Sequence, residues 1–164
     1  MDNLWAAWRR DFILGPKEDG CVFCKRAKSK KDRENLLLYR GKKVFIIMNK
    51  YPYNGGHLLI VPYSHKSDIT KLTQVESDSM FNLTRKSVEI IRKAMSPHGF
   101  NIGMNLGAVA GAGIEDHLHI HIVPRFKGDT NFISVCNQVR VQSVSMEEIY
   151  DILKPGFDRL KGKN

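Results

Sequence analysis

Polar and apolar positions alternate strictly over residues 117–122, with His117, His119 and His121 interleaved with Leu118, Ile120 and Ile122. This pattern predicts a β-strand over 117–125 with one apolar face and one histidine face. Residues two apart on a strand face lie roughly 6.5–7 Å from one another, so the three imidazoles form a row while the leucine and isoleucines enter a core. Short apolar runs at 36–39 and 44–48, around Gly41-Lys42-Lys43, predict a hairpin, and 57–61 predicts a third strand after a turn containing Pro52 and Gly55-Gly56. Thr73-Gln-Val-Glu76 has the spacing of a capping box and opens a helix to about Met95. Met80, Leu83, Ile91 and Ala94 supply its buried stripe, and Pro97 with Gly99 ends it. A strand over 100–106 follows. Ser145-Met-Glu-Glu148 opens a short C-terminal helix, expected to be interrupted near Pro155-Gly156. There is no internal repeat. The order predicts an α+β fold, an antiparallel sheet with helices.

Composition narrows the function. A chain of 164 residues fits one domain with a sizeable core. Twenty-six Lys and Arg against 17 Asp and Glu give a formal charge of +9, which suits an anionic ligand. Six of the cations crowd between Lys25 and Arg33. No aromatics interleave with them, so the run is expected to be a solvated loop rather than a nucleic-acid surface. No apolar run approaches the length of a membrane span, and the charged Met1-Asp2-Asn3 is not a secretory signal. A cytoplasmic location is the expectation. Trp5 and Trp8 read as core or dimer anchors.

Packing alone does not ask for a row of histidines. Imidazole is the commonest metal ligand, and it is also a nucleophile that neighbours can orient and supply with protons. Along a flat strand three imidazoles sit too far apart for one ion held at about 2.0–2.1 Å, which favours divided roles. Cys21-Val-Phe-Cys24 is either a redox pair or half of a zinc site. A thioredoxin-like role would want a βαβ context, which the N-terminal region lacks; zinc would need two more ligands, which histidines can provide. Cys136 reads as a small buried residue.

His117-Leu-His119-Ile-His121-Ile-Val, preceded by Asn49-Lys-Tyr-Pro52-Tyr-Asn-Gly-Gly56-His57-Leu-Leu-Ile-Val-Pro62-Tyr-Ser-His65, resembles the histidine triad (HIT) family of nucleotide hydrolases and transferases. The resemblance covers residues from about 20 to 135. It implies a single HIT domain over 1–164, with an N-terminal extension over 1–19 and a helical tail over 145–164. It puts the nucleophile at His119, with His121 on the phosphate or bridging oxygen. Asn49 would contact the ribose, although a turn-capping asparagine before Pro52 is nearly as good a local reading. Ile47 would face the base. Asn105 would face the phosphate, with Gly111, Gly113 and Ile114 of the Gly107–Gly113 loop and its exit approaching it. In zinc-containing relatives a C-x-x-C pairs with positions matching His65 and His117, so Cys21, Cys24, His65 and His117 would hold structural zinc. Residues 4–9, 111–114 and 128–132 resemble the bacterial diadenosine polyphosphate phosphorylases, and a homodimer is implied. The expected activity is cleavage of diadenosine polyphosphates through an adenylyl-histidine, by phosphate or by water. Alternatives are a nucleoside phosphoramidase, a nucleic-acid deadenylase, and a zinc-stabilised nucleotide-binding module with little turnover.

Overall fold

The computed structural model describes residues 20–129 and 144–160. The expectations for Trp5, Trp8, Asn131, Phe132 and Cys136 lie outside those residues. Among the described residues, five strands form one antiparallel sheet: β1 (Leu37–Arg40), β2 (Val44–Met48), β3 (Leu58–Pro62), β4 (Gly99–Gly103) and β5 (Ile120–Arg125), in the order β1-β2-β3-β5-β4. Helix α1 (Val22–Lys28) covers one face; α2 (Gln74–Met95) and α3 (Met146–Asp158) cover the other.

The central strands explain this layering. Every residue of β2 and β3 is buried, so their near-continuous apolar runs need a partner on both faces. Val44, Ile46, Met48, Leu58 and Ile60 join Ile120 and Ile122 under α2 and α3. Phe45, Ile47, Leu59 and Val61 face the other way, against Phe23 of α1. His121 pairs with Leu59, which puts the histidine row on the α1 face.

Helix α2 begins at the expected capping box, with Thr73 as N-cap, and stops where Ser96 turns left-handed (φ 49°) ahead of Pro97. Its buried stripe is Glu76, Met80, Leu83, Thr84, Ser87 and Ile91. Ala94 is exposed instead of buried. The stripe continues at i+4 through Met95, which packs against the core. Helix α3 starts at Ser145 with its own capping box, but it runs through Pro155 to Asp158 without the expected interruption. Phe157 is fully buried and Gly156 lies directly on Ile90, so tertiary packing holds the last turn despite the lost hydrogen bond. The basic run also departs from expectation: Lys25, Arg26 and Lys28 lie on α1, not in a loop. No helix among the described residues is long and apolar enough to cross a membrane.

The turn before β3 hinges on Gly56, whose φ is +81°. A Cβ there would meet Met95 Sδ at 2.9 Å and Pro124 Cγ at 3.2 Å. Gly56→Ala is therefore expected to destabilise the fold by about 1–3 kcal/mol, measured by urea denaturation. A loss below about 0.5 kcal/mol, the scale of ordinary surface substitutions, would contradict this account of the turn.

Candidate functional site

The regular strand β5 starts at Ile120, three residues later than the alternation predicts. Continuing the β3–β5 register would set Leu118 against Pro62, which has no N–H to offer. The Leu118 N–H instead donates to the Lys66 carbonyl at 2.7 Å. His117 and His119 thus lie in an irregular lead-in to the strand, where they and Leu118 between them are all buried.

Each ring in the row meets a different partner. His119 is only 6% exposed, and Phe23 of α1 lies over it with ring centroids 4.9 Å apart. Its Nδ1 is 2.8 Å from the His117 carbonyl oxygen. A carbonyl only accepts, so Nδ1 carries the proton and Nε2 keeps its lone pair. Burial pushes the His119 pKa below the ordinary histidine value, partly opposed by that hydrogen bond. The ring is thereby kept neutral. His117 is fully buried, and its Nε2–H donates to the Pro62 carbonyl at 2.8 Å. The Nδ1 lone pair then faces Cys21 Sγ at 3.2 Å and Cys24 Sγ at 3.6 Å.

His121 is oriented by a residue to which the sequence reading assigned no role. His57 Nδ1 accepts the Tyr53 N–H at 3.0 Å and the Asn49 side-chain amide at 3.3 Å. Its proton therefore sits on Nε2, which donates to His121 Nδ1 at 3.0 Å. In the neutral ring His121 then carries its own proton on Nε2. The Tyr53 ring stacks on His57. Asn49 also accepts the Tyr51 N–H through its side-chain oxygen at 3.0 Å, so the turn-capping role is present at the position matched to the ribose contact. A cleft of about 250 Å³ opens beside His121, lined by Tyr53, Asn101, Ile102, Asn105 and Val123 among others. The Asn105 amide donates to the Gly111 carbonyl, and Gly107 and Gly111 both take positive φ around a short turn at Ala108–Ala110. Ile114 and Ile47 belong to the apolar cluster beneath α1. A larger hollow of about 660 Å³ lies elsewhere, between Arg26, Arg33, Lys50, Met146 and Tyr150, and no histidine lines it.

Cys21, Cys24, His65 and His117 converge, with all four ligand atoms within 4.8 Å of one another. Cys21 is the N-cap of α1 and Cys24 lies one turn along. Cys24 Sγ is 3.5 Å from His65 Nδ1. A tetrahedral zinc with the usual bond lengths has N···S edges of about 3.5 Å, so the four residues fit that ion. Burial, reinforced by Cys21, raises the Cys24 pKa, and a bound dication would reverse that preference.

The segment bearing His65 is held by Glu76, in the first turn of α2. Its carboxylate accepts from the Lys66 ammonium (2.8 Å), the Ser64 hydroxyl (2.5 Å), and the Thr73 amide (2.7 Å) and hydroxyl (2.8 Å). These donors, Lys66 foremost, hold its pKa down to about 2. The T-x-x-E spacing signalled the cap. Nothing in it signalled that the same carboxylate reaches back to residues 64 and 66. His57 did carry a signal, standing directly after Gly55-Gly56 at the mouth of a strand.

A family model described as the HIT domain matches residues 30–128. The chain belongs to the HIT family. Among relatives, the AP-4-A phosphorylase of Mycobacterium tuberculosis is 46% identical over 110 residues, which is 67% of this chain and 56% of the relative. The asymmetrical bis(5'-nucleosyl)-tetraphosphatase of Schizosaccharomyces pombe is 34% identical over 93 residues, 57% of this chain and 50% of that protein. This HIT chain thus spans only about half the length of these two relatives. Among solved structures, a zinc-bound histidine triad family protein from Mycobacterium smegmatis superposes with a TM-score of 0.70 at 25% identity, over 88% of this chain and 98% of that one.

The hydrogen bonds predict definite tautomers. Long-range ¹⁵N–¹H spectra near pH 7 are expected to show His119 as the Nδ1–H form and His57 as the Nε2–H form. On lowering the pH, His119 should stay neutral past the ordinary histidine value of about 6.5. An Nε2–H His119 that titrates at or above that value would overturn the assignment.

Proposed function

We propose that this HIT protein cleaves diadenosine polyphosphates by way of an adenylyl-His119 intermediate. The observation that carries the reading is the His119 hydrogen bond to the His117 carbonyl, which leaves a buried, neutral ring with an unprotonated Nε2. The names of the two enzyme relatives support the substrate class.

In this reading His119 Nε2 attacks the α-phosphorus, and the bond from phosphorus to the bridging oxygen breaks. His121, held by His57, directs its Nε2–H at an oxygen of the departing polyphosphate and keeps that proton, so the polyphosphate leaves as an anion stabilised by the hydrogen bond. Phosphate or water then attacks the adenylyl phosphorus and frees His119. Asn105 with Gly111, Gly113 and Ile114 flanks the phosphates; Asn49 and Ile47 face the ribose and base. Zinc, held by Cys21, Cys24, His65 and His117, is proposed as structural. It would neutralise two thiolates and tie α1 to the lead-in of β5. Among the described residues β4 is an edge strand, and its exposed Asn101, Ile102 and Gly103 support a second copy of the chain as a partner.

Product analysis with diadenosine tetraphosphate tests the reading. ADP plus ATP appearing only with phosphate would make the protein a phosphorylase; AMP plus ATP without phosphate would make it a hydrolase. His119→Ala is expected to lose at least about a thousandfold in turnover while still binding AMP. Wild-type protein that binds AMP but turns over neither way would move the assignment to a phosphoramidase, a deadenylase or a binding module.

The metal is tested by elemental analysis. About one zinc per chain is expected in the wild type, falling well below that in Cys24→Ser because one of four ligands is gone. Full retention would remove Cys24 from the site.

A further inference from the structure

Two of the four donors on Glu76 belong to Thr73 and close the capping box. The other two belong to Ser64 and Lys66 and do nothing for the helix end. They flank His65. A glutamate in the first turn of a helix is ordinarily solvated, yet this one is 7% exposed. The segment it grips is otherwise tied to the sheet at Tyr63, whose N–H donates to the Lys43 carbonyl at 3.0 Å. Beyond Tyr63 the chain leaves β3, and His65 itself is exposed; its ring meets the His117 ring edge-on at 5.1 Å and Cys24, both of them members of the same cluster. The Lys66 carbonyl also accepts the Leu118 N–H, midway between His117 and His119.

We infer that Glu76 is a positioning residue for the metal site, holding His65 in reach of Cys24 and, through the Lys66 main chain, steadying the residue between His117 and His119. The inference rests on the metal reading given above. With Glu76 in place the ligand arrives already ordered, and that ordering cost is removed from metal binding. Without it, residues 64–66 would have to be fixed each time the ion binds.

Zinc dissociation constants, measured by competition with a chromogenic chelator, test this on four proteins: wild type, Glu76→Gln, the double variant Ser64→Ala with Lys66→Met, and Ser145→Ala. Ser145→Ala breaks the matching capping box of α3, away from the metal, and so reports the loss of a helix cap alone. The two clamp variants are expected to bind zinc about 10–100-fold more weakly. Ser145→Ala is expected to stay within about twofold of wild type, since it touches no ligand or ligand support. The cobalt(II)-loaded clamp variants should also show altered d–d bands. Clamp variants that bind zinc as tightly as wild type, or no more weakly than Ser145→Ala at equal loss of thermal stability, would overturn the inference. Should Glu76→Gln fail to fold, the double variant carries the test, because it leaves the Thr73 cap intact. Wild-type protein that takes up no zinc would instead overturn the metal reading itself, and the inference with it.

Discussion

The antiparallel pairing of β3 with β5 is the constraint on which the rest of the site depends. Strand β3 is bounded by His57 at its start and Pro62 at its end, with His65 three residues on. Pairing Leu59 with His121 puts His57 beside the third histidine of the row and the Pro62 carbonyl beside the first. A slip of one residue would send the histidines to the α2 face and the isoleucines to the α1 face. Two apolar clusters prevent that slip, because each face of the sheet is already claimed by a helix.

Within that frame, the protonation of the row is dictated by groups whose hydrogen-bonding sense cannot change. Two main-chain carbonyls set His119 and His117, and one main-chain N–H sets His57 and thereby His121. Chemically similar rings acquire different settings in this way: one packs against Phe23 with its Nε2 unprotonated, one faces two thiols, and one is linked to another ring. Side-chain identity supplies the imidazoles, and the backbone assigns them.

Much of this was legible in the chain. The alternation at 117–122, the apolar runs of the hairpin and the two capping boxes reflect periodicities that secondary structure imposes on its own residues, so they can be read locally. The Cys21, Cys24, His65 and His117 cluster followed from the resemblance, and the geometry brings the four together. What escaped the reading is non-local or cooperative. The late start of β5 depends on a proline in a different strand. The persistence of α3 through Pro155 depends on Phe157 finding a place in the core. The Ala94 expectation takes an i+3 step from Ile91, whereas the helix carries its stripe to the core at i+4, through partly buried Met95. The reach of Glu76 to Ser64 and Lys66 spans about ten residues and a change of direction, which no sequence window captures.

Position 117 divides its labour between its two halves. The side chain looks toward the cysteines, whereas the main-chain oxygen governs the neighbouring His119 ring. A carbonyl is common to all residues, so substitution of the imidazole erases the thiol-facing half and leaves the governing half in place. A lineage could therefore shed the cysteines and replace His117 while keeping the His119 ring in its Nδ1–H tautomer. The cysteine-facing cluster and the tautomer of His119 are in that sense separately heritable, even though they share a residue.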